Sequence, residues 1–169
     1  MGDDRKGRLA DAAIEVLGTE GLRALTHRAV DTRAGLPQGT CSYHFPTRNA
    51  LLTATLERIA ELDLAESADR DLASVLTAWS GSPRTRARFM LMLDPQARRD
   101  LGESAARLAD AFVDRAERFM GSRPRARLLI GLIDGLLLDE LTRGPVPDEE
   151  RRDRLAAIAQ LFPADFPVT

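Results

Sequence analysis

Apolar residues in this chain recur at steps of three and four, and no stretch strings β-branched residues into the alternating pattern that a half-buried strand needs. Leu9, Ala13, Val16 and Leu17 fall on one helical face, and Leu52, Leu56 and Ile59 on another. Leu101, Ala105, Leu108, Phe112, Ala116 and Phe119 step along a third, with Arg107, Asp110, Asp114 and Arg118 between them. This pattern predicts an all-α fold. With 169 residues, 44% of them hydrophobic, the chain has room for one or two small domains with a real core.

Local punctuation divides the pattern into about nine helices. The first ends in the glycine-bearing segment 18–21. Thr26 is placed to cap a short second helix over residues 27–34, and Gly35 stops it. Pro37 suits the first turn of a third helix that runs only to about His44, where Phe45-Pro46 breaks the chain again. Thr47 is placed to cap the fourth. Ser80-Gly81-Ser82-Pro83 separates a helix over 72–79 from one over 84–93, and Asp94-Pro95 ends the latter. A helix over 124–143 is apolar almost all round between residues 128 and 138, so that both its faces are expected to be covered by protein. The last helix opens near Asp148 and places Leu155, Ile158, Ala159 and Phe162 on one side.

The net charge of −2 carries no whole-chain signature of nucleic-acid binding, so any DNA contact has to come from a local surface. The single cysteine forms no internal disulfide, and the first residues, MGDDRKGR, lack the apolar core of a secretory signal. A cytoplasmic location is the expectation. The apolar run at 128–138 is interrupted by Asp134 and falls far short of the roughly 20 residues that span a bilayer.

Two short helices joined by the tight turn Ala34-Gly35-Leu36, behind a supporting helix, make a helix-turn-helix, whose second helix enters the major groove. Its outward residues are small and polar. Gln38, Thr40 and Ser42 are placed to reach base edges, Gly39 to permit close approach, and Tyr43, His44 and Arg48 to hold phosphates.

The order from Thr26 through Gly35-Leu36-Pro37-Gln38-Gly39-Thr40-Cys41-Ser42-Tyr43-His44-Phe45-Pro46-Thr47-Arg48, within residues 9–52, resembles the DNA-binding domain of the TetR family of bacterial transcriptional regulators. That resemblance implies phosphate contacts from Thr26 and Arg48 and operator contacts from Gln38, Thr40 and Tyr43. His27 and Arg28 complete the candidate DNA-contacting set. Cys41 stands where the family usually has a larger aliphatic residue and Ser42 where it usually has an aromatic one, which bears on the packing behind the helix and on the operator sequence. The resemblance further implies a homodimer paired through its last two helices, a pseudo-palindromic operator, and repression relieved by a small molecule. The domains expected are residues 1–48 for DNA binding and 49–169 for dimerisation and effector binding.

The effector expected is hydrophobic or amphipathic. Trp79, Phe89, Met92, Phe112 and Asp134 are the candidates to meet it, although large apolar residues at helical spacing more often form ordinary core. Asp134, a carboxylate in an apolar helix, calls for a helix end, an arginine across a dimer or a ligand amine, unless it faces solvent. His27 and His44 have no converging partners at catalytic or metal-ligand spacing, so neither an enzyme nor a cofactor or metal site is expected. Cys41 reads as a small core residue rather than a redox sensor. Arg151, Arg152 and Arg154, interleaved with acids, read as a solvated helical face. The rival reading is a helical interaction module that keeps the fold without binding DNA, and the polar face over 38–44 argues against it.

Overall fold

The computed structural model describes residues 2–68 and 70–161. The described residues form nine helices and no strand: α1 (Gly2–Glu20), α2 (His27–Ala34), α3 (Thr40–His44), α4 (Arg48–Glu66), α5 (Leu72–Trp79), α6 (Pro83–Leu93), α7 (Pro95–Met120), α8 (Arg123–Arg143) and α9 (Asp148–Leu161). Phe162, expected on the apolar side of the last helix, lies outside the described residues. No helix among those described is long and apolar enough to cross a membrane.

By compactness the chain falls into two units: residues 1–62 with 82–106, and residues 63–81 with 107–169. In the first, α1 packs against α2 and α6, and α2 against α3. Leu9, Ala13 and Leu17 of α1 are fully buried, as are Leu25 and Val30, and Leu51, Leu52 and Ile59 of α4 nearly so. Each such leucine contributes about 1.5–3 kcal/mol relative to an exposed one. Gly18 lets α1 come so close to α6 that a Cβ there would overlap the Pro83 backbone carbonyl. Arg58 of α4 clasps Asp11 of α1 with Nε at 2.7 Å and Nη2 at 3.2 Å.

In the second unit α5 packs against α8 and α9. Val113, Met120, Ala126, Leu129 and Ile158 form a buried cluster, with Leu132, Ile133 and Leu136 partly buried against it. The apolar face of α7 therefore runs through Val113, Ala116 and Met120, and Phe119, expected on the apolar stripe, is 48% exposed. α7 is broken at Gly102, whose backbone (φ 22°, ψ −100°) is not helical, so that Leu101 lies before the break and the rest of the stripe after it.

α8 is covered on one side only within the chain. Leu129 and Leu137 are buried, Leu128 is 55% exposed, and a Cβ added to Gly131 or Gly135 would meet open space. Arg151 corrects the expectation of a solvated arginine face: it is buried, and its guanidinium forks onto Glu140 with Nε at 3.1 Å and Nη2 at 2.9 Å. It also reaches Asp148 at 2.5 Å and the Val146 carbonyl at 3.2 Å, while the Ser80 hydroxyl donates to Glu140. Burial alone pushes a carboxyl up, but the hydrogen bonds from Arg151 and Ser80 prevail and hold Glu140 below its usual range.

Candidate nucleic-acid interface

α2 begins where the extended backbone of Thr26 turns its Oγ1 to accept the Ala29 N–H at 3.1 Å. It ends at Gly35, whose φ of +64° is the left-handed conformation that glycine adopts without steric penalty. Pro37 lies outside the next helix, contrary to the sequence expectation. The Thr40 N–H returns to the Pro37 carbonyl at 3.1 Å, and Gly39 between them has φ +96°. No right-handed helix passes through that conformation, so α3 starts only at Thr40.

Gly39 has no side chain to cap α3. The acceptor comes from α2 instead, because Asp31, 1% exposed, takes the Gly39 N–H on Oδ2 at 2.8 Å and the Cys41 N–H on Oδ1 at 2.7 Å. Cys41 is fully buried behind the helix. Burial, with the Asp31 charge adding to it, pushes its thiol up to about 11, so the reactive thiolate is scarce at neutral pH.

The opposite face of α3 looks outward. Gln38, Gly39 and Ser42 are exposed, Thr40 and His44 half-buried, and Tyr43 is 82% exposed with its ring edge-on to His44. Gln38 leans back on α2, its Nε2 donating to Thr32 Oγ1 at 3.1 Å. His27 Nε2 stands 2.7 Å from the Phe45 carbonyl, which only accepts, so this nitrogen carries the proton and ties the start of α2 to the end of α3. Arg48 is exposed, yet Nη1 donates to the Leu25 carbonyl at 2.7 Å and Nη2 to that of Leu22 at 2.9 Å. Thr26 and Arg28 are exposed at the start of α2. The candidate residues thus gather on α2, α3 and the first turn of α4, and two of them also hold those pieces together.

Two family models match this sequence, one described as bacterial regulatory proteins, tetR family, over residues 9–55, the other as tetracyclin repressor-like, C-terminal domain, over residues 62–164. The chain belongs to the TetR family. It is a DNA-binding transcriptional regulator by fold and by family. Its relatives include the multidrug binding protein EbrR, solved in complex with ethidium, which is 30% identical and aligns over 95% of this chain and 99% of that one with a TM-score of 0.73. A TetR-family member from Streptomyces coelicolor A3 is 28% identical over 95% and 99% of the two chains, with a TM-score of 0.66. A putative TetR-family regulator from Rhodococcus sp. shares the fold at 22% identity, covering 95% and 99%, with a TM-score of 0.76. No curated protein matches the chain.

The effector candidates of this TetR-family chain divide between its two compact units. Phe89, buried, and Met92, 43% exposed, belong to the first. Trp79, Phe112 and Asp134 belong to the second, where Trp79 is buried with its indole N–H donating to Glu66 at 3.1 Å and the other two are half-buried. Among the described residues no group of three or more His, Cys, Asp and Glu is gathered to hold a metal ion. Asp31 and the Arg151–Glu140 pair are what the sequence reading missed: each is an ordinary charged residue in a charged helical segment, and only the returning chain makes it a buried acceptor or donor.

Proposed function

We propose that the protein is a repressor that binds a pseudo-palindromic operator as a homodimer and is released by a hydrophobic or amphipathic small molecule. The observation that carries this reading is the outward face of α3 and the turn before it, where Tyr43, at 82% exposure, and Ser42 are exposed on a helix capped and pinned from behind and Gln38 is exposed in the turn. Base edges are read by Gln38 and Thr40, with Ser42 beside them. Phosphates are met by Tyr43, His44, Thr26, Arg28 and Arg48, the last having two of its five N–H groups committed to backbone carbonyls. His27 acts by holding α2 to α3.

Support for dimerisation comes from α8 and α9, where exposed Leu128 and Leu161 and the open flanks of Gly131 and Gly135 leave an apolar, small-residue surface that a second copy covers. The two recognition helices then lie roughly 34–36 Å apart, one turn of DNA. Support for the effector comes from the related EbrR, solved with ethidium and with proflavin, which makes such dyes the first probes. Trp79, Phe112 and Asp134, all of the second unit, are the candidate contacts. Duplexes selected by the protein from a random pool, then footprinted with and without ethidium, test the reading. Two protected half-sites about one turn apart, lost on adding the dye, are expected. Selection of no sequence contradicts DNA reading, and a footprint indifferent to every dye contradicts the effector.

A further inference from the structure

The recognition helix is too short to hold its own shape. Its five residues sit far below the length at which an isolated helix persists in water, and its N-cap is a glycine without a side-chain acceptor. Its end is tied by His27, and its start is fixed by another residue of α2. The backbone carbonyl of Asp31 takes the amides of Gly35 and Leu36, the latter at 3.0 Å, and its carboxylate takes those of Gly39 and Cys41. Four amides between residues 35 and 41 thus converge on Asp31, on both sides of the turn that sets the angle between α2 and α3.

We propose that Asp31 is a positioning residue for operator recognition: its buried carboxylate fixes the pose in which α3 and the turn before it present Thr40 and Gln38 to bases. This rests on the reading that α3 faces DNA. A carboxylate is suited to the task because both its oxygens accept, whereas an amide of the same shape offers one acceptor and sets N–H against N–H at the other. The carboxylate carries an electrostatic cost as well, since a negative charge behind a DNA-facing helix repels phosphates.

That cost gives the experiment its sign. Asp31→Asn removes a negative charge and half of the clamp, so affinity for random DNA holds or rises, while affinity for a duplex selected by the wild-type protein falls by roughly tenfold or more, comparable to one mismatched base pair in the site. Asp31→Ala, losing both acceptors, lowers the selected-to-random ratio further. Amide hydrogen exchange, read residue by residue, loses protection at Gly39 and Cys41 in both variants and keeps it at Leu9 and Leu17. If the affinities for both DNAs fall together along with thermal stability, Asp31 is scaffold only and the proposal fails. It fails equally if protection at Gly39 and Cys41 survives in Asp31→Asn. A wild-type protein that selects no sequence overturns the DNA reading instead, and the exchange result then decides the clamp by itself.

Discussion

Arg48 divides its guanidinium between the protein and the surface. Its bonds to the Leu22 and Leu25 carbonyls hold the connection between α1 and α2 against the start of α4, and its remaining N–H groups are available to a phosphate. Arg48→Ala is therefore expected to do two separable things. It lowers unfolding stability by about 1 kcal/mol, the middle of the range for an ordinary hydrogen bond because solvent screens the charge at an exposed site, and it reduces the slope of log affinity against log salt by about 1. Thermal melts and salt titrations on random DNA measure the two; a melt shift with an unchanged slope removes Arg48 from the phosphate contacts. Cys41, with its thiol pushed up to about 11, is expected to resist thiol reagents at neutral pH in the native protein and to react readily once unfolded. Fast native labelling contradicts its place behind α3. The outward placement of Gln38, Ser42 and Tyr43 was legible in the sequence because turn glycines and polar residues mark a short exposed helix by their chemistry. Asp31 was not, since a carboxylate between Arg28 and Arg33 looks like a solvated charge until the chain returns eight and ten residues later with unpaired amides.

Helix ends were legible where a local residue makes the cap, by its side chain at Thr26 and Thr47, the latter accepting the Ala50 N–H at 3.0 Å, and by its left-handed backbone at Gly35. The start of α3 was not, because its cap comes from another helix and Pro37 fitted a helical first turn just as well. Close approach between helices is equally invisible locally. Gly18→Ala is expected to destabilise by about 1–3 kcal/mol, since the new methyl group collides with the Pro83 backbone, whereas Gly7→Ala, in the same helix with nothing within 4 Å, is neutral or stabilises by up to about 1 kcal/mol. Equal melting shifts for the two would contradict the packing of α1 on α6. In the second unit, Arg151→Met leaves Glu140 buried without its partner and is expected to cost about 3–5 kcal/mol. The folded state lowers the pKa of Glu140, so this carboxylate contributes fully above the ordinary carboxyl range and its contribution is lost as pH falls through the lowered value. The stability gap between wild type and Glu140→Gln therefore narrows on acidification, and a gap that widens there contradicts the assignment.

At the scale of the molecule, the all-helical fold follows from periodicity, but its division does not. Residues 82–106 join 1–62 in one compact unit while 63–81 join 107–169 in the other, and no composition shift marks a core assembled from separated stretches. The proposed dimer is tested by Leu128→Glu, which places a charge on an exposed position of α8 and so is expected to leave helicity intact while light scattering reports a monomer. An unchanged mass moves the dimer contact elsewhere. Affinity of Gln38→Ala for the selected duplex and for random DNA, compared with wild type under one salt condition, tests the central claim, that α3 and the turn leading into it read bases. The account predicts a loss on the order of 1–3 kcal/mol on the selected duplex with binding to random DNA unchanged and preference relaxed at one base pair per half-site; an equal loss on both DNAs would contradict it.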